Sequence, residues 1–251
     1  MPLPARTSSM KRDYARHYRE LYERHWWWRA REALLLEELE RRKPPAGWGA
    51  ILDVGCGDAL FFDQLECFGE VWGVESDAEL VTEGNRYRSR VHVGPFDVTY
   101  APGRKFGLIL MLDVLEHLPD PEGALRHAAS LLRPDGWLLA TVPAFRVLWT
   151  AHDDFNSHRD RYTVSSFRSL AAQSGLAVDL ARYLFHWLFP AKLAVRAVEA
   201  ALPGRAKPER VPSPWINQLL YRASVMEWRV LRGVHLPFGS SVIGWCRLAS
   251  A

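Results

Sequence analysis

"ILDVGCGDALFF", Ile51–Phe62, is the stretch on which the fold turns. A run of apolar residues without alternation reads as a strand buried on both faces. Gly55 and Gly57 then allow a tight turn and let a ligand approach the main chain. A helix opening directly after such a turn presents free N–H groups to it. Eighteen residues beyond Gly57, a second apolar run, "EVWGVE", ends in Glu75, with Ser76 next. A carboxylate at that point suits the two hydroxyls of a ribose. A plain turn and a solvated glutamate would explain either feature alone, but the spacing of both points to a nucleoside pocket.

Outward from this stretch the chain alternates. "ALFFDQLECFG" reads as a helix, "SDAELVTEGNRY" as a helix with a Ser/Asp cap, and "RVHVG" as a third strand. "KFGLILML" is a fourth strand leading to a helix around "DPEGALRHAASLL". "RPDGWLLATVP" carries a fifth strand, "TVSSFRSLAAQSG" a capped helix and "LAVDLARYLF" a sixth strand. Such alternation predicts an α/β fold, a mainly parallel sheet with helices on both faces. Its ligands bind beyond the carboxyl ends of the strands. Upstream, Lys11–Lys43 has no Gly or Pro and reads as one helix, stopped at Pro44 and Pro45.

The composition is that of a globular protein: 251 residues, 48% hydrophobic, 24% charged, net charge +3. That charge is too mild to suggest nucleic acid. Cys56, Cys67 and Cys246 are scattered and odd in number with no CxxC pair, so neither a zinc site nor a disulfide framework is suggested and a reducing cytoplasm fits best. The N-terminus has no signal-peptide core, and no window is apolar enough to span a bilayer.

A dinucleotide fingerprint starting at Gly55 needs glycine at position 60, where Leu60 stands, so an NAD-dependent oxidoreductase is disfavoured. Asp53, Gly55, Gly57 and Ala59 instead resemble the first motif, D-x-G-x-G-x-G, of class I S-adenosylmethionine-dependent methyltransferases, with Ala59 in the last glycine's place. Only a left-handed backbone there would forbid the alanine. The resemblance extends to Glu75 as the ribose-binding acid. It continues in "GPFDVTY", with Asp97 and Val98 at the adenine, and in "LDVLEHLPDP", similar to the ubiquinone-biosynthesis-like branch. There it implies that Leu112, Asp113 and Val114 lie near the methionine part, with His117 following. "SSVIGWCRLA" looks like that family's last strand, antiparallel and slotted into the sheet. The resemblance therefore implies a Rossmann-like, doubly wound, seven-stranded sheet, with S-adenosylmethionine as cofactor, S-adenosylhomocysteine as product and no metal. Asp53 either reaches the cofactor or caps the turn. Cys56, between the glycines, is a small residue that fits the cofactor turn.

After the fifth strand, "WTAHDDFNSHRDRYT", Trp149–Thr163, crowds titratable groups into one loop, where an ordinary connection of about 2–6 residues needs none. His152 and His158 are base candidates, and Asp153 is suited to orient a histidine. Arg159 and Arg161 could hold an anionic acceptor. The plainer reading has Arg161 and Tyr162 bracing the loop.

Residues 184–237 exceed the minimal fold. They hold two helices, "HWLFPAKLAVRAVEAALPG" and "SPWINQLLYRASVMEWRVLRG", joined by the basic "GRAKPER". The order of preference is a roof over the active site, then contact with the inner membrane face, then a homodimer interface. The opening helix carries "HWWWRARE", His25–Glu32. Three tryptophans fan over about 200° of a helix, so a second surface must cover it. His25 and Arg29, four apart, are expected to face the cofactor and acceptor, with Trp28 beside them. The expected organisation is a lid over 1–46, a cofactor-binding core over 47–183, a helical insertion over 184–237 and a last strand over 238–251. The expected function is methyl transfer to a small or lipid-like acceptor. A non-catalytic cofactor-binding scaffold is the alternative, and RNA methylation stands behind both.

Overall fold

The structure is a computed structural model, and it describes residues 17–201 and 210–249. Seven strands form one sheet: β1 (Gly49–Val54), β2 (Gly69–Glu75), β3 (Val91–Val93), β4 (Phe106–Leu112), β5 (Leu132–Pro143), β6 (Leu176–Leu184) and β7 (Ser241–Leu248). Their spatial order is β3-β2-β1-β4-β5-β7-β6. Neighbouring pairs among β1 to β5 are parallel, while β7 pairs antiparallel with both β5 and β6. This is the Rossmann-like α/β sheet with an antiparallel last strand. The winding reverses between β1 and β4, so the switch point at which such sheets bind ligands lies at the carboxyl ends of those two strands.

The strands form as their sequences dictate. The last four residues of β1 are buried, as are six of the seven in β4, consistent with apolar runs covered on both faces. On one face lies α1 (Trp26–Arg42), which buries Ala30, Leu34, Leu35 and Leu39. This face also holds the Trp48–Trp245 stack, with centroids 6.0 Å apart. Trp245 donates from Nε1 to buried Glu38 on α1, 3.2 Å away. On the other face lie α3 (Pro121–Leu131) and α5 (Val164–Gln173). Asp120 caps α3 by accepting from Gly123 N at 2.8 Å, with Pro121 in the first turn. Thr163 and Ser166 form a reciprocal cap on α5.

Three expected helices are corrected. The helix expected over 11–43 breaks at His25, and its residues 11–16 lie outside the described residues. At the break, Asn217 Oδ1 accepts from Trp26 N at 2.8 Å and Asn217 Nδ2 donates to Arg24 O at 2.7 Å. A side chain thus takes the place of helical hydrogen bonds. The helix after the glycine turn shrinks to α2 (Phe62–Leu65). The segment 76–87 is a series of turns. Glu75 accepts from Asp77 N, Asp77 from Glu79 N, and Asp58 from Thr82 N, each at 3.0 Å or less. Side chains that capture local N–H groups in this way compete with a helix.

The insertion holds α6 (Leu188–Ala201) and α7 (Pro214–Leu231), and α7 packs along α1. Residues 202–209 of the basic linker lie outside the described residues. Between β5 and α5 lies the short α4 (Ala151–Phe155).

Candidate active site

The glycine turn closes the carboxyl end of β1. Gly55 and Gly57 have φ of 73° and 54°, the left-handed region that glycine enters without strain. A Cβ on Gly55 would stand 2.7 Å from Val114 Cγ2, so the turn and the segment after β4 leave room for hydrogen only. Ala59, at φ 54°, is left-handed as well. The one condition that disfavours alanine in the glycine's place is therefore met. Cys56 is buried: its Sγ lies 3.7 Å from Gly57 O, and burial pushes its thiol far up. It is an inert packing residue of the turn.

Glu75 is buried at the end of β2 and lies across the turn. Its Oε2 accepts from Gly57 N at 2.9 Å, and its Oε1 accepts from Asp77 N at 2.8 Å and from Ser76 Oγ at 3.4 Å. Asp53 is 5% exposed. Burial pushes its carboxyl up to about 7, with Arg31 drawing it down and Glu75 adding to the rise.

Arg31 is a site residue that sequence reasoning missed. Its Nη2 lies 2.7 Å from Asp113 Oδ2. Its guanidinium stands over the rings of Trp27 and Trp28, 5.6 and 5.8 Å from the centroids. Burial opposes the charge, and Asp113, Tyr18, Tyr22 and Asp53 together hold it on. Arg31 Nε is buried without a hydrogen-bond partner, and Asp113 Oδ2 is buried with only its ion pair to Arg31. Asp113, with φ 57°, also accepts from Thr141 Oγ1 at 3.2 Å. The signal was present in the sequence: Arg31 follows Trp27 and Trp28 by four and three residues, so a charge shares the aromatic face.

The lid expectations are corrected in part. His25 stands at the helix break, where its Nδ1 accepts from Trp27 N at 3.3 Å. Arg29 stacks on Tyr221 of α7 at 4.6 Å, so Arg31 and not Arg29 reaches the strand ends. Trp26 packs on Trp187 at 5.6 Å, Trp27 on Phe185 at 6.4 Å, and Trp28 on Tyr18 at 5.1 Å. Trp28 and Tyr18 thus lie near the glycine turn, with Tyr18 4.0 Å from where a Gly57 Cβ would be. A groove of about 860 Å³ opens beside this lid, between α1, Tyr221 and the segments around Asp58 and Arg86, and it does not include the strand ends.

Leu112 ends β4. Asp97 turns back to accept from Thr99 N and Oγ1 at 2.8 and 2.6 Å, which holds its carboxyl below the usual range. Val98 is 82% exposed.

The loop after β5 is built on Asp153, which is fully buried. His158 Nδ1 lies 2.7 Å from its Oδ1. Arg161 grips both carboxylate oxygens through Nε and Nη2 at 2.8 and 3.0 Å, and Thr150 N donates at 2.8 Å. Burial alone would raise this carboxyl, but these donors hold it well below the usual range. Asp153 therefore orients His158 and is no base. Arg161 is consumed as a brace, with Nη1 donating to Ala144 O at 2.8 Å, and does not serve an anionic acceptor. Tyr162 donates to Leu115 O at 3.3 Å and Arg159 Nε to His117 O at 3.2 Å, so both lace the loop to the segment after β4. His152 pairs with Asn156 at 2.7 Å.

His158 meets His117 edge to face, with centroids 4.8 Å apart. Burial and His158 both pull the His117 imidazole down. Glu116, buried beneath them, is pushed up by burial and by Asp113, and its Oε2 has no hydrogen-bond partner. The ligand atoms of Glu116, His117 and His158 lie within 4.8 Å of one another, a spacing at which they could hold a divalent cation.

The site fits an S-adenosylmethionine molecule on its own terms. Arg31, whose Nε is buried without a hydrogen-bond partner, offers a donor to an amino acid's carboxylate, and the carboxylates of Asp113 and Asp53 offer acceptors to its ammonium.

Residues 14–181 match the model of a family described as a methyltransferase domain. A ubiquinone biosynthesis O-methyltransferase of Xanthomonas axonopodis is 32% identical over 115 residues, covering 43% of this chain and 48% of that one. The chain thus aligns with about half the length of that relative. Among solved structures, a TehB-like SAM-dependent methyltransferase of Corynebacterium glutamicum superposes with a TM-score of 0.57 at 18% identity, covering 97% and 100% of the two chains. A [4+2]-cyclase, SpnF, superposes at 0.56 with 17% identity, covering 100% and 99%.

Proposed function

The chain belongs to the methyltransferase domain family, and from that premise we propose that it methylates a hydroxyl of a small or lipid-like acceptor. The observations that carry this reading are the half-buried pair Arg31–Asp113 at the strand ends and, in the loop after β5, a histidine held by a buried aspartate. Arg31 would receive the carboxylate of the bound cofactor's methionine part. Asp113 and Asp53 would face its cationic part, and Glu75 its ribose. When bound, S-adenosylmethionine supplies a methyl group already activated by a sulfonium. What remains for the chain is positioning and removal of one proton. His158, with Nδ1 fixed on Asp153, presents Nε2 as the base for an acceptor hydroxyl, and His117 beside it can relay the proton. An oxygen acceptor accords with the Xanthomonas relative's being an O-methyltransferase.

The test is calorimetry with S-adenosylmethionine, followed by methyl-label transfer into fractionated cell extract. We expect binding, label in an organic-soluble product, and at least about a tenfold weaker Kd for Arg31→Met, the cost of one charge-assisted contact. Absence of cofactor binding by the folded wild type would sink the reading. Binding without transfer would favour the scaffold alternative, which the cyclase likeness keeps in view.

A further inference from the structure

The two helices of the insertion are built inside out for a surface in water. On α7 the face turned to the protein is anchored by polar contacts. Asn217 bridges the break in the lid helix, Ser224 Oγ accepts from Trp187 Nε1 at 3.3 Å, and Trp228 Nε1 donates to Glu37 at 3.1 Å. Glu227 is also spent inward, accepting from the backbone N–H of His186 and Trp187 at 2.9 and 2.8 Å. The opposite face carries Trp215, Leu219, Met226 and Val230, which are 70, 58, 62 and 66% exposed. At about 100° per residue these four span roughly 60°, a continuous apolar stripe; Arg222 lies along its edge, next to Arg229, which is ion-paired with Glu37 at 2.7 Å. A helix that only roofed the site would turn this stripe inward.

Helix α6 repeats the inversion. Its polar residues serve the protein: Arg196 Nη1 donates to Trp149 O at 3.0 Å, and Glu199 accepts from Ala151 N at 3.3 Å. Its exposed residues include Val195 and Val198, at 51 and 59%.

Charge selects the occupant. Residues 188–232 contain eight Lys or Arg and three Asp or Glu, a net charge of +5 in a chain whose total is +3. The rest of the chain is thus −2. Glu199 and Glu227, two of the three acids, are engaged inward. A second copy meeting this face across a two-fold axis would set a basic surface against itself. An anionic lipid surface answers both the apolar stripe and the arginines at its edge.

We propose that α6 and α7 dock the protein on an anionic bilayer surface, with Trp215, Leu219, Met226 and Val230 entering the headgroup–acyl boundary and Arg222 engaging lipid phosphates. The docking is peripheral: among the described residues, no helix is long and apolar enough to cross a membrane. It stands apart from the chemistry proposed above, because vesicle binding is read without cofactor or acceptor.

The test is co-sedimentation of the full chain with vesicles of phosphatidylcholine mixed with phosphatidylglycerol, and with phosphatidylcholine alone, alongside light scattering for oligomeric state. Wild type should sediment with the mixed vesicles and at least about fivefold less with phosphatidylcholine alone. The exposed double substitution Trp215→Ser/Met226→Ser should abolish sedimentation while leaving the far-ultraviolet spectrum and melting temperature unchanged. Arg222→Glu should weaken binding about fivefold or more. No wild-type binding, or binding that the double variant retains, would overturn the proposal. So would wild-type dimers that the double variant dissolves in the absence of vesicle binding.

Discussion

Asp53 and Asp153 are both buried carboxylates at the carboxyl edge of the sheet, and their surroundings treat them in opposite ways. Asp153 has a bidentate guanidinium, an imidazole and a backbone N–H, so it stays charged far below neutrality. Asp53 is surrounded by apolar strand and by Glu75, and burial lifts it to about 7. The same division runs through the two regions. Around the glycine turn, Arg31 Nε has no hydrogen-bond partner and Asp113 Oδ2 has only its ion pair with Arg31, whereas Asp153 and the Arg161 that grips it are paired throughout. A saturated cluster braces, and an unsaturated one is left to be completed by a ligand.

The sharpest break in that contrast is Asp153→Ala. It strands the Arg161 charge in the interior and frees the loop after β5. Removing one partner of a buried pair costs about 3–5 kcal/mol. We expect a loss of that size in urea unfolding, with the chain failing to fold cooperatively at the upper end. Asp53→Asn, at the same depth, should show no such loss. Equal destabilisation by both would erase the distinction.

His158→Gln tests whether the braced side also does chemistry. The amide can still reach Asp153, so the fold should hold, while a base is lost. A drop in kcat of about 100-fold or more is expected, with cofactor Kd unchanged. A chelator added to wild type separates the two uses of the Glu116–His117–His158 cluster: activity that survives it supports proton transfer, and activity lost to it supports a bound cation.

The unsaturated side should respond to pH. Asp53's folded value lies above its unfolded one, so the folded chain holds this proton more tightly. Its contribution to stability is most favourable below about pH 4 and declines as pH rises toward 7. Binding a cationic ligand favours the ionised form and runs the other way. Cofactor affinity is therefore expected to strengthen roughly tenfold between pH 6 and pH 8, the change in ionised fraction around a value near 7. Asp53→Asn should flatten that profile in calorimetry at the two pH values. A profile equally steep in the variant would assign the titration elsewhere.

The contrast also explains what the sequence made legible. Strands with unbroken apolar runs, such as "LILML", and glycines at a turn are decided locally, so the sheet and the glycine turn could be read directly. The turns over 76–87 were read as a helix because Ser76 and Asp77 look like a helix cap until it is known which N–H groups Asp77 and the distant Asp58 take. The break at His25 depends on Asn217, 191 residues from Trp26, and no local pattern announces such a partner. In the loop after β5 the sequence could not sort the roles, because one buried aspartate takes both His158 and Arg161 as partners and only the fold shows how much of each it uses.

Ala59 gives the smallest and finest test of the cofactor side. The turn holds it at φ 54°, where a Cβ crowds the following carbonyl at a cost of about 1 kcal/mol or slightly more. Ala59→Gly removes that strain but admits more freedom in the unfolded chain, an opposing effect of about 0.4–1 kcal/mol. The net expectation is a gain of a few tenths of a kcal/mol, seen as a melting temperature raised by a degree or two. Because Gly57 N–H is already held by Glu75, the turn should keep its shape and cofactor affinity should stay within about twofold of wild type. A variant that melts lower would mean that Ala59, at 3% exposure, contributes more through packing than the backbone loses through strain.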